Sequence, residues 1–431
     1  MAGGNWETQN KVRPGAYINF ETNDLVAAGL DSAGPVVIPL ALDWGEVGKF
    51  IKVTSNSKFK ELFGKSLGDI TPIREAFKAT GQVIVYNLNG VGSKATATSG
   101  TFVTTAKHGG VDGNKIRVTV TVGLGGTSTV KTFYDGDQVD SQVVANTSEL
   151  VPNAFVSYTG ALPVADATLT LAGGTTVTAT NESHATAVSG LDTQDFKVVA
   201  VGTTDDTIKL LYALKVKEWR EQQGKNVTLV TNNFNSADHE GVNSVLNGVT
   251  LEGNEVLTAK ESLYFYAGAY ANATTNSLTY VEYPGAIDSE RKTHDEIVQA
   301  LQDGHIVYTF NNGSVVVEQD INTFRSFTQE KSKDFRKNKI VRAMDIISNN
   351  TQHVFSTFFI GKVTNDANGR DLFKQQLMKV VLDPLVQSAS IDYVTEDIAI
   401  FEGNDKDAVV VNMGIEFNDA MEKLYMTVAC K

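Results

Sequence analysis

The sequence predicts a multidomain α/β (α+β) protein: a mixed-sheet α/β core built from the N- and C-terminal regions, an inserted all-β domain, and extended terminal strand arms. Three observations predict it. FKVVAVG, a helix over Ile208 to Gln223, and NVTLVT follow one another, which specifies a βαβ unit with a parallel pair. From Gly90 to about Asp195 the composition shifts to Thr, Val, Gly and Ala without helical period. Both ends, VRPGAYINF and EKLYMTVACK, read as strands. The implied division is an arm at 1–20, the first part of the core at 21–92, the β insertion at 93–195, the second part of the core at 196–322, and a C-terminal domain with a terminal strand at 323–431.

The elements follow in order. Arg13-Pro14-Gly15 is a turn signal, since Pro fixes φ and Gly tolerates positive φ; Tyr17, Ile18 and Phe20 then read as a short strand. PVVIPLALD (35–43) is a buried strand, and Ser57 to Phe63 is a short helix with Phe59, Leu62 and Phe63 on one face. PIREAFKA (72–79) is a helix with Pro72 in its first turn, followed by the strand QVIVYN. In the insertion, IRVTVTV (116–122), VKTFY (130–134) and ATLTLA (167–172) alternate as half-buried strands, with Asp135-Gly136 and Gly173-Gly174 as hairpin turns. The helix after FKVVAVG carries Ile208, Leu211, Tyr212, Lys215 and Trp219 as a stripe and stops at Gly224. Residues 258–271 and 289–303 read as helices, and 305–319 as a hairpin with Asn-Gly in its loop. A long helix over 335–358 and a second over 369–388, kinked or ended by Pro384, precede the alternating strand 408–417. Another strand is expected over 421–430.

Composition excludes several functions. The formal net charge is −13, whereas broad nucleic-acid binding needs a basic face. A single cysteine, Cys430, leaves no disulfide framework and no Cys-rich metal site. The first twenty residues lack a basic segment followed by an apolar one, so no signal peptide is expected; no apolar run is long enough to span a membrane.

Several motifs imitate catalytic ones. Gly90-Val91-Gly92-Ser93-Lys94-Ala95 matches GxGxxA, but a β-rich stretch follows where a dinucleotide site needs a helix. Phe63-Gly64-Lys65-Ser66 imitates the end of a P-loop, but Phe59 stands where its first Gly must be. Asp135-Gly136-Asp137 lacks calcium-loop spacing. The six histidines are scattered without paired spacing, so neither zinc nor any other cofactor is expected. Asp238-His239-Glu240 could be a buried acid–base group but reads rather as a cap and solvated surface before a helix, and Cys430 lies too near the end to have a supporting shell. An α/β hydrolase would need Ser, His and a carboxylate in one pocket, and no nucleophile motif is present. A surface-layer protein would need an export signal; a capsid-type subunit remains an alternative structural reading.

One charge run stands out: Arg325, Lys331, Lys333, Arg336, Lys337, Lys339 and Arg342, opposed only by Glu330 and Asp334. It reads either as a solvated helix start or as a docking face for an acidic partner. The terminal strands raise a second possibility. A strand with no partner is an edge, and edges recruit strands. If 408–417 and 421–430 form a sheet edge, VRPGAYINF of another copy could add to it. A head-to-tail contact that does not close builds a filament.

MAGGNWETQNKVRPGAYINF, PVVIPLALDWGEVGKFIKVTS, the Thr/Gly-rich insertion and the ending from FRKNKIVRAMDII to MEKLYMTVACK together resemble the sheath proteins of contractile phage tails and phage-tail-like bacteriocins, over essentially the full length. The resemblance implies a non-enzymatic subunit without cofactors. Such subunits stack as hexameric rings in a six-start helix around a tail tube, and contract to drive it through the bacterial envelope. The implied partners are further copies, the tube protein, and baseplate and tail terminator proteins, in a virion or phage-tail-like particle assembled in the host cytoplasm. It further implies that Tyr17, Ile18 and Phe20 lie in a strand donated to a neighbour, and that Val409, Val411, Met413 and Ile415 lie in the receiving sheet. The basic run from Arg325 to Arg342 becomes a candidate tube-facing patch.

Overall fold

The computed structural model describes residues 2–4, 15–17, 34–123 and 125–429. They form two bodies: 34–345 with 417–429, and 346–416 with the short strands Ala2–Gly4 and Gly15–Tyr17.

The first body is organised by a seven-stranded sheet ordered His305–Ile306, Val242–Val245, Thr228–Asn232, Val198–Val201, Val36–Leu40, Val83–Asn87, Phe50–Val53. All neighbours are parallel except the last pair. The near-continuous apolar runs VVIPL, VIVYN and VVAV suit a parallel sheet covered on both faces. Alternation along each strand divides them. Val36, Ile38, Val83, Val85, Val198 and Ala200 face one layer; Val37, Ile84, Val199 and Val201 face the other. Pro39 sits in a central strand without breaking a ladder, because pairing to Val198–Val201 ends at Val37.

Helices α1 (Phe59–Phe63), α2 (Thr71–Phe77), α3 (Asn181–Gly190), α4 (Asp206–Gln222), α5 (Ala259–Asn272) and α6 (His294–Gln302) belong to this body. Asp205 caps α4 by accepting from Thr207 N–H at 2.8 Å, and Gly224 follows its end in the left-handed region. The strands before and after α4 pair in parallel, as the βαβ pattern predicts. Helix α3 is a correction, since its stretch carries no helical period. Small and polar residues compose it, only Ala187 and Val188 are buried, and a Thr180–Ser183 capping box starts it. Val188 and Leu191 pack into the same apolar cluster as α4.

The insertion holds two antiparallel sheets. One orders Asp137–Val144, Ser128–Tyr134, Ile116–Val122 and Ala167–Thr170; the other Val156–Thr159, Phe102–Gly109 and Lys94–Ser99. Asp135 (φ 51°) and Gly136 (φ 89°) make the expected hairpin turn. The Gly173-Gly174 pair is not a hairpin turn: Gly174 N–H donates to Asn114 Oδ1 at 2.8 Å, and the chain continues to Val177, which bridges Gly90. Trp44, from the core, fills the insertion's centre beside Tyr134 and Phe155. Its Nε1–H donates to Glu61 O at 3.1 Å, and Tyr134 O–H donates to Gly64 O at 2.9 Å. The P-loop imitation is thus the left-handed cap of α1, Gly64 at φ 72°.

Helix α7 (Asn338–Val354) starts in the first body and ends in the second. A π-turn at Phe355–Phe359 follows, then α8 (Ala367–Gln376), a π-turn at Leu377–Leu382, and α9 (Asp383–Gln387) with Pro384 in its first turn. The expected helix over 369–388 is therefore interrupted by a π-turn before Pro384. Phe355, Phe359 and Phe373 pack as an aromatic trio in this body. Ile391–Glu402, a strand absent from the sequence reading, pairs with Val409–Phe417 in a two-stranded sheet.

A methyl group added at Gly64 would lie 2.5 Å from Tyr134 Oη and 2.8 Å from Trp44 Cβ, at a positive φ. Gly253 has a similar φ of +84° and open space around it. Gly64→Ala is expected to cost about 2–4 kcal/mol and Gly253→Ala about 1 kcal/mol, read from denaturant midpoints of the purified protein. Equal costs would show that crowding at the Trp44–Tyr134 junction contributes nothing.

Candidate assembly surfaces

Two polar groupings among the described residues place a histidine ring beside an oxygen. Ser244 Oγ accepts from Phe234 N–H at 2.7 Å and shares a hydrogen bond with His305 Nδ1 at 2.9 Å. The two are register partners in adjacent parallel strands, and Ser244 is wholly buried. Asp238-His239-Glu240 corrects the reading of a solvated cap. A strand, not a helix, follows, and His239 and Glu240 are buried. His239 Nδ1 accepts from Gly241 N–H at 2.9 Å, leaving Nε2 3.5 Å from Glu221 and 3.7 Å from Glu240. Burial holds the His239 ring below its ordinary pKa, only partly opposed by Glu240, with Arg220 and Lys331 adding to the lowering. No group of metal-ligating side chains occurs among the described residues, and no helix there is long and apolar enough to cross a membrane.

The basic run is not one exposed face. Arg342 is buried and donates to Asp320 at 2.7 Å and to the carbonyls of Thr274 and Asn276. Arg336 donates to Leu301 O, and Lys331 to Glu240 at 2.8 Å. Lys337 contacts Glu422 and, at 3.0 Å, Asp419. Arg325 donates to Asn235 O at 3.1 Å and lies 3.6 Å from Asp303. Lys333 and Lys339 make no ion pair among the described residues, and Lys333 is exposed. Spacing along the chain showed the charges but not these partners, each of which lies more than twenty residues away in sequence.

The ends present a different surface. In Val409–Phe417 the odd-numbered residues, Val409, Val411, Met413 and Ile415 among them, are half-buried and the even-numbered ones exposed, apart from half-buried Asn418 beyond. Two strands alone are marginal in water. The expected strand over 421–430 is absent from its described part: residues 418–429 form none, and Met421, Leu424, Tyr425, Met426 and Val428 are each at least 70% exposed. Gly15–Tyr17 pairs in parallel with Ala2–Gly4; Ile18 and Phe20 lie outside the described residues.

The family model for the phage tail sheath protein central domain matches residues 178–323, and that for the phage tail sheath C-terminal domain matches 330–431. A third, for the tail sheath protein Gp18 domain III N-terminal region, matches 33–88. The crystal structure of a sheath tail protein from Desulfitobacterium hafniense superposes with a TM-score of 0.85, at 34% identity over 96% of this chain and 99% of that one. The chain belongs to the phage tail sheath family. Among its relatives, the phage-like element PBSX protein XkdK of Bacillus subtilis is 32% identical over 99% of both chains. The sheath of an extracellular contractile injection system in its contracted state shares the fold, with a TM-score of 0.52 at 11% identity over 98% of this chain and 99% of that one.

Membership makes this sheath protein a structural assembly protein of a phage tail or phage-tail-like particle, not an enzyme. The matched segments end at 88 and resume at 178, next to the Gly90–Val177 bridge that closes the insertion.

His108, His184, His239 and His305 are all held below their ordinary pKa, chiefly by burial. The unfolded chain takes up these protons near pH ~6.5. Stability is therefore complete above about pH 6.5 and falls as the pH drops through that value toward the folded ones. The melting temperature of the monomer is expected to fall between pH 7.5 and 5.5. His239→Asn, which keeps an acceptor for Gly241 N–H, is expected to make that fall shallower. An unchanged pH slope in the variant would remove His239 from the account.

Proposed function

We propose that the protein polymerises as a six-start helix of hexameric rings around a tail tube, and that contraction of this sheath drives the tube through a bacterial envelope. One observation carries the reading most: apolar side chains from Met421 to Val428 stand in solvent beyond a sheet of only two strands. Exposed apolar chain and open strand edges of this kind call for a partner. The proposed partner is another copy. Tyr17, Ile18 and Phe20 would be donated to a neighbour's sheet, and Val409, Val411, Met413 and Ile415 would belong to the receiving one. Contraction then needs no cofactor if the extended state is kinetically trapped and rigid bodies slide while the arms keep them joined. Baseplate and tail terminator proteins would bound the polymer, assembled in the host cytoplasm.

The run Arg325, Lys331, Lys333, Arg336, Lys337, Lys339 and Arg342 remains the proposed tube-facing region. Lys333 and Lys339 are its charges whose side chains have neither an ion pair nor a hydrogen bond among the described residues, and so the ones offered to an acidic tube surface.

Negative-stain electron microscopy of the purified protein, alone and with its tube protein, tests the assembly. Striated hollow tubes are expected, and discrete monomers in both samples would overturn the reading. Deleting residues 1–20 is expected to abolish polymers while leaving a folded monomer by circular dichroism; polymers that survive would refute strand exchange. Changing Lys333 and Lys339 together to Glu is expected to leave self-assembly intact and block assembly on the tube. Normal tube-bound particles from that variant would dispose of the tube-facing patch.

A further inference from the structure

The exposed C-terminal stretch has one inward-facing residue, Glu422, at 11% side-chain exposure between fully exposed Met421 and exposed Lys423. Both its carboxylate oxygens are engaged. Oε1 accepts from Thr279 Oγ1–H at 2.9 Å; Oε2 accepts from Gln319 Nε2–H at 2.7 Å and from Lys337 Nζ. The partners are themselves fixed. Thr279 Oγ1 accepts from Asp320 N–H at 3.0 Å, and Lys337 also binds Asp419, one turn of chain before Glu422. Phe417 and residues 419–423 thereby line a groove of about 1010 Å³ together with Leu301, Phe327, Arg336 and Ile340. Burial alone would raise the Glu422 carboxyl, but the donors from Lys337, Gln319 and Thr279 outweigh it and hold the group below the usual carboxylate range.

We infer that Glu422 is the anchor of the C-terminal arm: it pins residues 417–422 to the first body, so that only the chain beyond Glu422 reaches toward a neighbouring copy. The inference rests on the strand-exchange reading for its consequence and on geometry within one chain for its substance. A carboxylate that accepts from three donors in a groove is not needed for the sheet at 391–417, which it follows. Its effect is on reach. Release of 417–422 would lengthen that reach by roughly 20 Å. A short anchored arm selects one neighbour and one register, whereas a longer one admits several.

Hydrogen–deuterium exchange on the full-length monomer tests the anchor directly. In the wild type, amides of 419–423 are expected to exchange more slowly than those of 425–429. Glu422→Ala and, as a milder cut on the other side, Thr279→Val are expected to speed exchange of 419–423, by on the order of ten-fold for Glu422→Ala, without altering the seven-stranded sheet. Equal exchange of the two segments in the wild type, or unchanged protection in Glu422→Ala, would overturn the anchor. In electron micrographs, Glu422→Ala is expected to give polymers of mixed diameter or repeat; uniform wild-type tubes would overturn the claim that anchoring selects the neighbour. Removing residues 423–431 separates the two ideas. Polymers that survive this truncation refute arm exchange, while the protection of 419–422 in the same protein still reports on Glu422.

Discussion

The buried carboxylate of Asp320 is the point on which the first body's connections converge. Its Oδ1 accepts from Tyr266 O–H at 2.7 Å, and its Oδ2 from Leu278 N–H at 2.9 Å and Arg342 at 2.7 Å. One side chain thereby ties α5, the turn after it, the end of the 305–319 hairpin and α7. Burial opposes the charge, but Arg342, Tyr266 and Leu278 N–H outweigh it and keep the group ionised. Such a charge tolerates no loss of partner. A second pair, Arg220 with Asp345 at 2.6 and 3.0 Å, fixes the same helix one turn further on. Helix α7 thus leaves the first body rigidly held, and Asp320's own N–H reaches Thr279, which supports Glu422.

What the sequence made legible is what hydrophobic periodicity encodes. The βαβ unit, the alternating strands of the insertion and the Asp135-Gly136 turn each have a local signature, and the structure keeps them. Helix α3 was illegible because it buries few apolar side chains and is specified by its cap. The strand Ile391–Glu402 mixes acidic and apolar residues, and most of its length is not buried in this chain. The π-turns at 355–359 and 377–382 leave no mark in a period of 3.6. The basic run misled for another reason: charge is visible in sequence, its neutralisation by Asp320, Glu240 and Glu422 is not. His239 and Glu240 went the same way, since three polar residues in a row read as solvated unless the fold buries them.

The terminal segments differ from the rest in kind. The central strands of the seven-stranded sheet are buried on both faces, while Leu424, Tyr425, Met426 and Val428 are exposed and have no strand partner among the described residues. Stability is thereby distributed unevenly, greatest where both faces of a sheet are covered.

The Gly90–Val177 bridge has a practical meaning. Gly90 N–H donates to Val177 O at 2.7 Å, so the insertion leaves and rejoins the core at a single point. To the seven-stranded sheet, the entire insertion is a loop with touching ends. Loops with touching ends can be lengthened, shortened or exchanged at small entropic cost. Trp44, lent by the core to the insertion's centre, and the Tyr134 O–H bond to Gly64 O make the present occupant more than a passenger. A foreign domain grafted between residues 90 and 177 would inherit a ready-made socket and would have to supply a partner for that indole. The protein is in this sense a display scaffold.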